Sequence, residues 1–152
     1  MEKVLSIIKQ TRTNFTQLVE GLSIDQLNKI PAGFNNNIIW NYAHIISAQQ
    51  SLCYRLSGLP IIVDAAFVDM FKKGTKPEGF IDEEQVSHVK RMCSATIDKM
   101  IIDLNDSVFG NFQEYTTSYN VTLASIEDAV KFVSVHDSLH YGYAMALRRM
   151  VS

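Results

Sequence analysis

Residues 125–150 read SIEDAVKFVSVHDSLHYGYAMALRRM, and this stretch decides the fold. Its apolar side chains recur every three or four residues, which is the spacing of one face of an α-helix. Ser125 and Asp128 fit the capping pattern that opens a helix, and Arg148 and Arg149 fit its negative end. The stretch therefore predicts a long amphipathic helix with two histidines on or beside its buried face. That face comprises Ile126, Ala129, Val130, Val133, His136, His140, Ala144 and Leu147.

Three earlier segments have the same helical periodicity. They span residues 2–20, 38–58 and 82–104, with a short helical turn at 23–27. The apolar face predicted for the first segment is Val4, Ile7, Ile8, Thr11, Phe15, Leu18 and Val19. No long run alternates as a strand would. We therefore predict an all-α protein, a four-helix bundle with a long crossover between helices two and three, in which residues 1–152 form a single domain.

Two connections lie between these long helices. Residues 58–81 form a long connection that Pro60, Gly74, Pro77 and Gly79 interrupt, and only a short helical piece is expected at residues 64–71. Such a length suits a crossover along the bundle rather than a tight hairpin. Residues 105–121 contain a glycine, two threonines and alternating aromatic residues. For this second connection a loop and a short extended excursion remain alternatives.

The composition excludes several classes of protein. With 152 residues, 47% of them apolar, and a net charge of -2, the chain lacks the strongly basic face that nucleic acid requires. Its two cysteines, Cys53 and Cys93, are too few for a secreted disulfide framework and are interpreted as buried small hydrophobes rather than nucleophiles. No apolar stretch is long enough for a signal peptide or a membrane span. We therefore expect a cytoplasmic protein that binds neither nucleic acid nor membrane.

The histidines of the last helix suggest metal chemistry. His136 and His140 lie four residues apart, so both side chains project from one helix face. His44 lies on helix two, at a height that matches theirs if the two helices run antiparallel. Three imidazoles would leave one coordination position open, as in catalytic zinc sites. A hydrogen-bonded pair of core histidines is the alternative, and from spacing alone the two interpretations stand about equal.

A family resemblance favours the metal. Residues 34–45, FNNNIIWNYAHI, read with residues 135–142, VHDSLHYG, resemble the DinB-like superfamily, also called DinB/YfiT. The resemblance covers essentially the whole chain. It implies a four-helix bundle that binds one divalent metal through His44, His136 and His140. Members with known activities are similar to metal-dependent transferases and isomerases that use low-molecular-weight thiols, and such proteins are often homodimers.

Two functions remain as hypotheses. The first is a metal-dependent enzyme, a thiol-dependent transferase or a hydrolase of a small electrophilic substrate, whose metal is zinc, nickel or iron. The ion would acidify a water molecule or a substrate thiol at its open position. The second is a non-enzymatic, stress-associated helical bundle that acts through dimerisation or partner binding. An open metal site with an adjoining cavity would favour the enzyme, and a closed site would favour the bundle.

Five further side chains near these motifs have alternative interpretations. Asp137 is expected to be a solvated or interhelical carboxylate rather than a partner of a metal ligand. Trp40 could form a pocket wall or simply fill the core. Asn41 and Tyr141 are equally ambiguous. His88 lies off the apolar face of its helix, and we interpret it as a surface residue.

Overall fold

Helices make up most of the chain, which confirms the all-α prediction. The computed structural model describes residues 1–152. No helix in it is long and apolar enough to cross a lipid bilayer. Two short strands, β1 (Tyr115–Thr116) and β2 (Thr122–Leu123), pair antiparallel. The α-helices are α1 (Glu2–Glu20), α2 (Ile24–Asn28), α3 (Ile38–Gln49), α4 (Ala65–Phe71), α5 (Glu83–Asn105) and α6 (Ile126–Val151).

The helices begin where the capping residues of the sequence predict. Ser23 Oγ accepts the Gln26 backbone N–H at 3.3 Å, and the Gln26 side chain accepts the Ser23 backbone N–H at 2.9 Å. Asp82 and Gln85 form the same reciprocal pair at the start of α5. The Ser125 hydroxyl caps α6. Each cap satisfies a backbone donor that the first helical turn leaves free, so short-range chemistry fixes these boundaries.

Helix α3 is buried on all sides over most of its length. Every residue from 38 to 47 is buried, and Asn37 Oδ1 caps the helix by accepting the Trp40 backbone N–H at 2.8 Å. Residues 50–57 continue the helix as a π-helical segment and a 3₁₀ turn. Gly58 ends it at a φ of 68°, a conformation that glycine adopts without steric cost. The predicted end at Gly58 is confirmed.

The segment between α5 and α6 contains a hairpin, so the extended alternative applies to part of it. Tyr115 pairs with Leu123, and Thr116 pairs with Thr122. Asn120 lies in the turn at a φ of 58°, in the left-handed region that asparagine tolerates better than most residues. Leu123 is 1% exposed and packs in the core. This leucine and Thr117 are the buried residues of a hairpin that is otherwise exposed, and Leu123 anchors it to the helices.

The core consists of two apolar clusters, one of 18 buried residues and one of 10. Helices α1 and α6 pass from the smaller cluster to the larger, whereas α5 and the continuous helix formed by α3 and residues 50–57 pass from the larger to the smaller. Helices α3 and α6 therefore run in opposite directions. The prediction that His44 lies at the same position along the bundle axis as His136 and His140 requires this antiparallel orientation.

A buried polar layer lies between the two clusters and takes one residue from each long helix. The layer consists of Arg12 on α1, Gln49 on α3, Thr96 on α5 and Asp137 on α6, each at most 2% exposed. The Arg12 guanidinium donates to Asp137 Oδ2 at 2.8 Å, to Gln49 Oε1 at 3.0 Å and to Thr96 Oγ1 at 3.0 Å. It also donates to the Cys93 carbonyl at 3.1 Å. Hydrogen bonds therefore connect the four helices at this level.

Candidate metal centre

Three histidines meet between α3 and α6. His44 comes from α3, and His136 and His140 come from successive turns of α6. One nitrogen from each ring lies within 4.8 Å of the others, and the ring centroids are 4.5 to 5.1 Å apart. The structure thus brings together all three residues that the sequence selected. Their role as metal ligands remains a prediction.

Hydrogen bonds orient two of these rings. His44 Nδ1 lies 2.5 Å from the Phe71 carbonyl, which can only accept, so this nitrogen carries the proton. His140 Nδ1 lies 2.8 Å from Asn41 Oδ1. Asn41 Nδ2 donates to the Asn37 carbonyl at 2.7 Å, which turns the amide oxygen towards the histidine. In both rings Nε2 keeps a free lone pair, which is the arrangement that metal-binding histidines use.

The third ring lacks a partner. His136 Nδ1 is buried without a hydrogen bond, and so is Asp137 Oδ1, 4.0 Å away. The other Asp137 oxygen accepts from Arg12, so the interhelical alternative for this carboxylate is correct. A buried nitrogen without a partner is costly, and a divalent ion or a small movement towards Asp137 would satisfy it. The donor set, three imidazoles with two already oriented, fits a divalent metal.

Burial keeps two of the imidazoles neutral. It lowers the pKa of His44 from 6.5 to about 4, although the hydrogen bond that His44 donates to the Phe71 carbonyl acts to raise it. It lowers the pKa of His140 to about 3, and the positive charge that His136 and His44 would carry lowers it further. Both rings are therefore neutral at pH 7, with one N–H each, and can offer the lone pair of the other nitrogen to an ion without first losing a proton.

An open cleft of about 520 Å³ adjoins the three histidines. Trp40 lines the cleft and stacks on His44, with ring centroids 4.6 Å apart and an angle of 11° between the planes. Helix α6 contributes Phe132 and Leu139, residues 72–74 follow α4, and the hairpin contributes Tyr115 together with residues 117–119. The pocket-wall interpretation of Trp40 is therefore correct, although the ring is also largely buried.

Four other residues that the sequence analysis considered lie outside the histidine cluster. His88 is exposed on α5, as predicted. Cys53 and Cys93 are buried free thiols. Burial raises the pKa of Cys53 to about 12 and also raises that of Cys93, so neither is a ready nucleophile. Tyr141 packs against Phe15 in the core, with ring centroids 5.7 Å apart.

Comparison with known proteins gives a family match. A family model described as the DinB superfamily matches residues 7–144, a range that contains the three histidines, the polar layer and the hairpin. No curated protein matches the chain. The match leaves out only the first six and last eight residues of the sequence, so it covers nearly the whole helical fold.

Proposed function

The chain belongs to the DinB superfamily, and from this membership we propose that it is a metal-dependent enzyme acting on a small electrophilic substrate. One observation carries the proposal: the three-histidine cluster adjoins an open cleft of about 520 Å³. A structural metal would need no such cleft, because structural sites are closed by protein ligands. The cleft thus favours the enzyme over a bundle that acts only through partner binding.

His44, His136 and His140 would hold the ion, which is zinc, nickel or iron by the chemistry of three imidazoles. A divalent metal would supply a Lewis acid that acidifies a thiol or a water molecule. The hydrogen bonds that His44 donates to the Phe71 carbonyl and His140 donates to Asn41 Oδ1 hold these two rings with Nε2 free. The stacked Trp40 ring packs against His44 and excludes water from one side of it.

The lining of the cleft favours a thiol as the attacking group. None of its residues is an aspartate or a glutamate, so no carboxylate is placed to act as a general base. A thiol has an ordinary pKa of about 8.5 and needs only modest acidification to attack at neutral pH, whereas water starts from about 15.7. We therefore propose a thiol-dependent transferase ahead of a hydrolase, with a low-molecular-weight thiol as one substrate.

Metal content tests this function directly. Protein purified without a histidine tag is expected to carry close to one equivalent of divalent metal per chain, because three imidazoles converge on one point. His140→Ala is expected to lose most of it. His88→Ala is the matched control, because it removes an exposed histidine outside the cluster and should leave the metal content unchanged. Elemental analysis gives the content, and circular dichroism checks that each variant is folded.

Two other outcomes of the metal analysis would contradict the proposal. Negligible metal in all three proteins, persisting after incubation with zinc, nickel and iron, would eliminate the metal-dependent enzyme. The non-enzymatic helical bundle would then be the better description. Equal metal in His140→Ala and the wild type would place the ion elsewhere, and the proposed ligand set would be wrong.

The four long helices support the predicted bundle architecture. Helix α5 and the helix formed by α3 and residues 50–57 pass through the two apolar clusters in the same direction, so the connection between them has to return along the molecule. Residues 58–82, which include α4, make this connection. We propose on this basis a four-helix bundle whose long crossover joins α3 and α5.

A homodimer is also proposed, and one apolar strip on α6 supports it. Val135, Leu139 and Tyr143 follow one another at helical spacing and are 55%, 48% and 37% exposed. A second copy of the chain would remove this strip from water. We expect sedimentation velocity to give a dimer for the wild type and a monomer for Val135→Glu. A wild-type monomer at tens of micromolar would contradict the proposal.

A further inference from the structure

The charges around the cleft differ from those of the whole chain. The chain carries 16 acidic and 14 basic residues, for a net charge of -2. The residues that line the cleft include two lysines, Lys72 and Lys73, and no aspartate or glutamate. Even with the histidines neutral, the lining is therefore positively charged. A cleft with charge of one sign attracts ligands of the other.

The two lysines follow α4 and differ in their pairing. Lys72 Nζ lies 3.0 Å from Asp69 Oδ1, and both side chains are more than half exposed. Solvent screens such a pair, so Lys72 keeps much of its capacity to attract an anion. Lys73 takes part in none of the ion pairs of the chain. Its ammonium group is thus available to a ligand.

The remaining walls of the cleft are largely aromatic and aliphatic. Tyr119 of the hairpin meets Phe132 of α6 edge to face, with ring centroids 5.9 Å apart. Trp40, Leu52 and Leu56 also belong to this apolar lining. Apolar walls with a few charged groups are the usual composition of a site for a small organic molecule, in which the apolar area supplies affinity and the charges fix orientation.

We propose that the cleft binds an organic anion with an apolar body, its acidic group held by Lys72 and Lys73 and its body packed between Trp40 and Phe132. This inference rests on the proposed function, because it describes the substrate of the same site. It adds a requirement that the histidines do not impose, namely a negative charge on the molecule. The lysines orient the substrate and take no part in bond making.

A matched pair of probes tests the charge requirement. 4-Phenylbutyrate and 4-phenylbutyramide have the same apolar body and differ in the charge of one end. Trp40 is the only tryptophan of the chain, so the indole N–H gives a single NMR signal that reports on the cleft. We expect the carboxylate to bind roughly fivefold to tenfold more tightly than the amide, as two exposed ion pairs would give.

Two variants locate the source of this preference. Lys72→Gln/Lys73→Gln should remove it, and Lys76→Gln should keep it, because Lys76 is an exposed lysine of the same connection that does not line the cleft. Equal affinities for the two probes in the wild type would overturn the inference, as would failure of the carboxylate to shift the Trp40 signal. A preference that persists in the double variant would overturn it too, because the lysines would then not be the anion's partners.

The metal is assessed separately. The titrations are run on protein with and without added zinc, after its metal content has been measured. If none of zinc, nickel and iron binds, the proposed function fails whatever the probes do. If zinc binds but the charge preference is absent, the function stands and the inference about the substrate fails.

Discussion

Replacing Arg12 by methionine is expected to lower the free energy of unfolding by about 3–5 kcal/mol. Arg12 is 2% exposed and its partner Asp137 is fully buried. The substitution leaves the Asp137 carboxylate buried without its cation, and one of its oxygens already lacks a hydrogen bond. Gln49 and Thr96 also lose a donor. Urea unfolding at pH 7, followed by circular dichroism, measures the loss.

Two further variants show whether the buried charge is responsible. Lys9→Met on the same helix removes an exposed ion pair, Lys9 Nζ to Asp98 Oδ1 at 2.7 Å, and should cost under about 1 kcal/mol. The double variant Arg12→Met/Asp137→Leu should regain much of the loss, because it leaves no unpaired charge inside. A cost for Arg12→Met no larger than that for Lys9→Met would contradict this account of the polar layer.

In the metal-free protein we expect a comparably large loss of stability in mild acid. The pKa of His44 is about 4 and that of His140 is about 3 in the folded state, against an ordinary value of 6.5. The unfolded chain therefore binds more protons than the folded one below pH 6.5, so stability falls as the pH falls. At 1.36 kcal/mol per pKa unit, the loss at pH 4 is roughly 3 kcal/mol for each histidine.

Urea unfolding between pH 7 and pH 4, in the presence of a chelator, measures this dependence. The loss should begin near pH 6.5 and continue to grow down to pH 4, because the folded pKa values of the two rings lie at or below that pH. His140→Gln should have about half the wild-type slope, because one of the two buried imidazoles is gone. His88→Gln changes an exposed histidine and should leave the slope unaltered. A flat wild-type profile over this range would mean that the two rings accept protons readily inside the fold.

The helices could be predicted because their signals are local. The reciprocal pair of Asp82 and Gln85 and the cap at Ser125 each lie within four residues of the helix that they start. Burial on α1 was harder to predict. The spacing placed Ile7 on the inner face, yet Ile7 is 43% exposed, and the charged Arg12 is buried instead. The available signal for the burial of Arg12 was its position four residues after the buried Ile8, on the same helix face. Its partner Asp137 is 125 residues away in the chain, so no local pattern indicated the ion pair.

The three histidines of the candidate site could be predicted from the sequence, whereas the residues around them could not. The spacing of His136 and His140 is local, and the antiparallel course of α3 and α6 then brings His44 to them. The Phe71 carbonyl that binds His44 could not be found from residue type, because every residue has a carbonyl. The cleft likewise depends on where the hairpin and the connection after α4 come to lie, and neither follows from a periodic pattern.

The polar layer also fixes the position of α6 relative to α3 along the helix axes. Asp137 directly follows His136, and Gln49 lies five residues beyond His44. Because Arg12 donates to both Asp137 and Gln49, sliding α6 against α3 by a single residue, about 1.5 Å, would break one of these bonds. Only one alignment of the two helices satisfies the layer, and that alignment brings the histidines level. An ion pair that contributes little net stability can therefore fix how closely the nitrogens of the three histidines approach one another.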